Sequence, residues 1–131
     1  MVLDASAVVE VLTGARPDPA LLDRIEGADA LYAPHLIDAE AVHALRGLAR
    51  GGVIGEDAAA EARRGLQNLG IIRYPHTGLV ERVWELRHSF TAYDALYVAL
   101  AETLEVPLVT ADAKLTRGSG HQAEIDLYPA P

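Results

Sequence analysis

The sequence predicts an α/β fold in which one parallel sheet is covered by helices on both faces. Three observations carry that prediction. Short apolar runs alternate with longer segments of helical periodicity along the whole chain. The breaks between them, among them "GARPDP", "RGG", "YPHTG", "EVP" and "RGSGH", read as turns between elements and not as a domain boundary. Half of the 131 residues are apolar, with alanine abundant and aromatics scarce, which favours closely packed helices over a β-sandwich. A chain of this length is expected to form one domain over residues 1–131, burying roughly two-thirds of the surface its unfolded form exposes.

In chain order, "MVLD" is a short strand and "SAVVEVL" a helix with Val8, Val11 and Leu12 at helical spacing. "LLDRIE" predicts a second short helix and "ALYAP" a strand. "HLIDAEAVHALRGLAR" is an amphipathic helix stopped by Gly51 and Gly52, which suit a helix C-terminus. "EDAAAEARRGLQNL" is another helix, ended by Gly70. The strand "IIRYP" leads to "LVERVWELRH", with Leu79, Val83 and Leu86 on one side. A helix around Leu96 is apolar on nearly every side and so belongs in the interior. The strand "PLVTAD", a loop and a last strand "EIDLYP" complete the order.

Composition excludes several classes of function. The formal net charge of −8 argues against a membrane-surface protein and a general nucleic-acid coating protein, yet is compatible with an acidic metal site. The absence of cysteine removes disulfides, thiolate zinc sites and cysteine nucleophiles, and fits a reducing cytosol. "MVLDAS" carries an acid where a secretory signal would be basic. The longest apolar run, "ALYVALA", falls short of the about 18 residues a membrane span needs. A cytoplasmic protein without membrane association is expected.

Four carboxylates stand at the edges of apolar segments. Asp4 and Asp112 each directly follow a strand, where ligands gather in parallel sheets. Glu40 lies in line with Leu36, Ala44 and Gly47, at the margin of the apolar face formed by Ile37, Ala41, Leu45 and Leu48. Asp94 opens the interior helix. Each has an ordinary explanation: Asp4 and Asp112 as caps, Glu40 reaching out to water, and Asp94 in a capping box with Thr91. If the four converge, their mutual repulsion is on the order of a few kcal/mol per close pair. Protonation or a cation must then relieve it. Oxygen-only ligands suit Mg²⁺ or Mn²⁺.

Together, "VLDASAVVEVL", "YAPHLIDAEAVHAL", "TAYDALYVALAE" and "PLVTADAKL" resemble a PIN domain, and more specifically the VapC-type toxins of bacterial toxin–antitoxin pairs. All four segments stand in the family's order and approximate spacing, over essentially the whole chain. The resemblance implies a three-layer α/β/α sandwich around a central, mostly parallel sheet of four or five strands. It also implies a metal-dependent endoribonuclease whose acidic quartet falls on Asp4, Glu40, Asp94 and Asp112, with Mg²⁺ or Mn²⁺ as cofactor. Ser6 and Thr110 match positions that often carry a hydroxyl near the metal ligands. His43 departs from the family, which often has asparagine there. An RNA substrate, an antitoxin partner and a homodimer are implied as well.

An acidic protein that grips RNA needs local positive charge. Arg46 and Arg50, one turn apart beyond Glu40, and Lys114 and Arg117, just after Asp112, are the candidates; Arg46 and Arg50 also read as ordinary solvated helix residues. The five histidines are scattered without metal spacing, and Trp84 is placed in the core or at an interface. Two other readings remain: a catalytically silent binding domain on the same scaffold, and a phosphoacceptor or phosphatase domain. A haloacid-dehalogenase-like enzyme would want aspartate where Ser6 stands, and a receiver domain an acceptor aspartate where the chain reads "GLARGGVIG".

Overall fold

The structure, a computed structural model, describes residues 1–131. Strands β1 (Val2–Leu3), β2 (Tyr32–Pro34), β3 (Ile72–Tyr74), β4 (Leu108–Thr110) and β5 (Ile125–Leu127) alternate with helices. These are α1 (Ala5–Thr13), α2 (Pro19–Glu26), α3 (Leu36–Arg50), α4 (Glu56–Asn68), α5 (Val80–Glu85) and α6 (Ala92–Leu104). Each strand contracts to two or three residues of its expected run.

All five strands are parallel, in the order β3-β2-β1-β4-β5. This is the expected class, with the upper of the two expected strand counts. Parallel crossovers are right-handed, so the steps from β1 to β2 to β3 put α1 to α4 on one face. The return from β3 to β4 runs the other way and puts α5 and α6 on the opposite face. The direction therefore reverses between β1 and β4, and a crevice opens beyond their carboxyl ends. Asp4 and Asp112 follow those two strands.

The interior is built on the central strands: Val2, Leu3, Leu108 and Val109 have no exposure. Helix α6 lies across the sheet with Ala95 through Ala101 buried. Alanines at 95, 99 and 101 let its backbone approach the strands closely. Helix α3 ends where expected, and Gly52 there takes φ +70°, which any side chain would resist.

Two expectations need correction. "LVERVWELRH" is a 3₁₀ turn (Thr77–Leu79) followed by only six helical residues, although Leu79 and Leu86 are buried as anticipated. Of the two places expected for Trp84, the core is excluded and the interface is not: it is 67% exposed, with the Arg87 guanidinium 4.4 Å from its ring centre. Leu79, Val83 and Leu86 fill the inward side of this short helix, and Trp84, next to Val83, is turned outward.

Arg82 ties this outer layer together. It donates to both oxygens of Glu102 on α6 (3.0 and 2.9 Å), to Glu85 (2.8 Å) and to the Gly120 carbonyl (2.9 Å). The Arg82 hydrogen bonds, helped by the Gln122 N–H, hold the Glu102 carboxyl below its ordinary range. A depressed carboxyl contributes stability above its unfolded pKa, and that contribution disappears as pH falls through the folded value. Glu102→Gln is therefore expected to lower stability by roughly 1–2 kcal/mol at neutral pH. Urea denaturation should show the deficit shrinking below about pH 4.

Candidate active site

Asp4 is the centre of the crevice. Its backbone leaves β1 in an extended conformation and its side chain caps α1, accepting from the Ala7 N–H at 3.0 Å. The Ser6 hydroxyl lies 2.7 and 2.9 Å from its two oxygens, and the Thr110 hydroxyl donates to Oδ2 at 2.7 Å. Both hydroxyls are themselves polarised. Ser6 accepts from the Ala111 N–H (3.0 Å) and Thr110 from the Asp112 N–H (2.9 Å). The start of α1 and the end of β4 are thus joined through one carboxylate.

Asp4 is only 6% exposed, and no lysine or arginine pairs with it. Burial pushes its pKa up to about 6 and the charge of Asp112 adds to the rise, while the Ala7, Thr110 and Ser6 donors oppose it. Asp94, half-buried in the first turn of α6, is shifted upward by burial and then by Asp112; Thr91 and Lys114 oppose that shift. Its expected cap is present, with the Asp94 N–H donating to the Thr91 hydroxyl at 3.2 Å. Asp112 caps the 3₁₀ turn Ala113–Arg117 through the Lys114 N–H at 2.9 Å. Asp4, Thr91 and Asp112 each cap as expected, the capping box showing its Thr91 half, and three of the four acids are also electrostatically coupled.

Glu40 joins through a residue the sequence reading passed over. The hydroxyl of Tyr97, on the buried α6, donates to Glu40 Oε1 at 2.6 Å. Burial, that hydrogen bond and the charges of Glu40, Asp4 and Asp94 all push the tyrosine pKa upward, so Tyr97 remains a proton donor. The signal was available: a buried tyrosine hydroxyl requires an acceptor, and Tyr97 stands one turn after Asp94 inside the apolar run of α6.

Asp112 thus acts on Asp4 and Asp94, and Glu40, Asp4 and Asp94 all act on Tyr97, yet no three carboxylate or imidazole side chains close on a single point as a ready cage. A groove of about 960 Å³ between α1 and α3 leads away from the crevice, lined by Ser6, Glu40, His43 and Arg16 among others. The basic candidates separate into two places. Lys114 and Arg117 are exposed on the turn after Asp112, and Lys114 is near enough to act on Asp94. Arg46 and Arg50 line a different groove, between α3 and α4, with Arg63 and Glu56.

Comparison with known proteins settles the family. A model of the PIN domain matches residues 1–120. Ribonuclease VapC1 of Mycobacterium tuberculosis is 45% identical over 127 residues, 96% of either chain. The chain belongs to the VapC ribonucleases of the PIN-domain family. Ribonuclease VapC9 of the same organism is 42% identical over 132 residues, 98% of either chain. Among solved structures, PAE2754 from Pyrobaculum aerophilum superposes with a TM-score of 0.69 at 29% identity, over 95% of this chain and 81% of that one. VapC20 of M. tuberculosis, described as a sarcin–ricin loop cleaving toxin, shares the fold at TM-score 0.66 and 18% identity, over 92% and 95% of the two chains. Thr110 holds Asp4 in place from the end of β4, and its hydroxyl also accepts from the Asp112 N–H. Thr110→Val strips a donor from Asp4 and an acceptor from the Asp112 N–H. It is expected to lower stability by about 1–3 kcal/mol in chemical denaturation, with Thr110→Ser close to the parent.

Proposed function

We propose that this chain is a Mg²⁺- or Mn²⁺-dependent endoribonuclease acting as the toxin of a toxin–antitoxin pair, with Asp4, Glu40, Asp94 and Asp112 as its working carboxylates. The observation that carries this reading is Asp4: a carboxylate buried at the sheet's switch point, surrounded by further acids and paired with no cation. Evolved structures do not keep such a group without a use, because leaving a charge buried and unpaired is expensive.

The residues fit a hard divalent ion. All four acids offer oxygen, and the electrostatics lack only positive charge. The absence of a three-residue cage is consistent with Mg²⁺, which keeps much of its water and takes one or two carboxylates plus substrate phosphate. Asp4 and Asp94 would hold the ion, with Glu40 and Asp112 at its margin. The bound ion would supply charge to acidify a water and to offset the negative charge gathering on the phosphoryl oxygens.

The chain's own groups then have definite tasks. Ser6, Thr110 and the Ala7 N–H fix the orientation of Asp4. Tyr97 fixes one oxygen of Glu40 and leaves Oε2 free to accept from a water. Lys114 and Arg117 flank the entrance and meet the RNA backbone; Arg46 and Arg50 offer a second, outer contact along the α3–α4 groove. In-line attack by water gives a 5′-phosphate and a 3′-hydroxyl, and no protein nucleophile is needed, in keeping with the missing cysteine. The antitoxin is the partner such a toxin requires, and a homodimer is the expected assembly. No helix is long and apolar enough to cross a membrane.

Incubation of total RNA with the parent chain and with Asp4→Asn, in Mg²⁺ and in chelator, tests this. Cleavage is expected only from the parent in Mg²⁺, with Asp4→Asn lower by about 100-fold or more. Equal activity of the two proteins would remove Asp4 from the chemistry, and no cleavage by either would favour the silent binding domain.

A further inference from the structure

The mechanism leaves one hollow beside the acids unused. It measures about 410 Å³ and is lined by Leu36, Ala39, Glu40, His43 and Tyr93. Leu36, Ala39, Glu40 and His43 stand at i, i+3, i+4 and i+7 of α3, so they form one continuous stripe along that helix. Tyr93, in the first turn of α6, faces the stripe. The residue is 60% exposed. The hollow is joined to the catalytic crevice at both ends of its chemistry: Glu40 belongs to both, and Tyr93 adjoins Asp94.

From this the geometry points to a nucleobase subsite: Tyr93 is the stacking platform, and His43 the polar wall, for an unpaired base next to the phosphate being cut. The inference rests on the ribonuclease reading and adds to it a residue that decides which RNA is held. Three features select this occupant. Glu40, the one carboxylate lining the hollow, repels a phosphate there, so the guest is a neutral part of the nucleotide. Leu36, Ala39 and the Tyr93 ring offer flat apolar surface, which suits the face of a base. His43 and the Tyr93 hydroxyl supply hydrogen-bonding groups at the rim, which suit its edge. An exposed tyrosine needs no explanation when it stands alone. Here it forms one wall of a concave site that shares a carboxylate with the reaction.

The test starts from a cut mapped in total RNA with the parent chain. A short 5′-labelled RNA spanning that cut is then made intact and with single abasic nucleotides on either side of the cleaved bond. Cleavage kinetics are measured for the parent, Tyr93→Ala and Tyr93→Phe. Tyr93→Ala is expected to lower kcat/KM by about 10- to 100-fold, mainly through KM, and Tyr93→Phe to stay within a few-fold of the parent. One abasic position should impose the same loss on the parent and no further loss on Tyr93→Ala, since both remove the same stack. Tyr93 is exposed, so the variant is expected to fold, and an unchanged Mg²⁺ dependence confirms that its carboxylates are intact. Unchanged kcat/KM in Tyr93→Ala, or abasic penalties that add to it at every position, would overturn the subsite and assign the exposed ring to a protein partner. A parent chain that cuts no RNA would instead overturn the ribonuclease reading beneath it.

Discussion

The structure depends on one carboxylate held out of water. Asp4 stands where the sheet reverses direction and carries three tasks at once: it caps α1, it links β1 to the end of β4 through two hydroxyls, and it concentrates negative charge in the crevice. The first two stabilise the fold, whereas the third works against it. Burial raises its pKa to about 6 despite three hydrogen-bond donors, so desolvation and the neighbouring Asp112 outweigh them. A fold selected for stability alone would place an asparagine or a serine here. Retaining an acid makes sense only where the missing positive charge arrives from outside the chain.

The surrounding architecture keeps the acids near one another without letting them collapse into a neutral cluster. Parallel topology brings two strand ends to the switch point, and the return crossover lays α6 against the same edge. The middle of α6, Ala95 through Ala101, is buried and anchors the first turn that carries the half-buried Asp94. Tyr97 extends that rigidity to Glu40 on the opposite layer. Salt bridges are kept to the periphery, at Arg24–Asp126, Arg73–Asp38 and Arg82 with Glu85 and Glu102. The positive charge that would quench the site is spent elsewhere.

Much of this was legible in the sequence, for identifiable reasons. Alternating apolar runs and amphipathic segments fixed the class, because each run can be buried only in a sheet covered on both faces. The caps were legible since Asp4, Thr91 and Asp112 act on neighbours within three residues. Contacts between distant segments were harder. Ser6 and Thr110, 104 residues apart, and Tyr97 and Glu40, 57 apart, meet only once the strand order is known. The choice between core and surface for Trp84 was not legible, because amphipathic spacing shows which side of a helix is apolar, while a six-residue helix has too little buried side to hold an indole as well. The separation of Arg46 and Arg50 from the Glu40 groove was likewise invisible until α4 was seen packed beside α3.

If the crevice is a carboxylate site awaiting a cation, the ion must stabilise the folded chain without any RNA present. Thermal unfolding at pH 8, with and without millimolar Mn²⁺, measures this in the parent and in Asp4→Asn. The expected result is a rise of about 5 °C or more for the parent and little or none for the variant. Identical curves for the parent with and without the ion, or equal gains in both proteins, would contradict it.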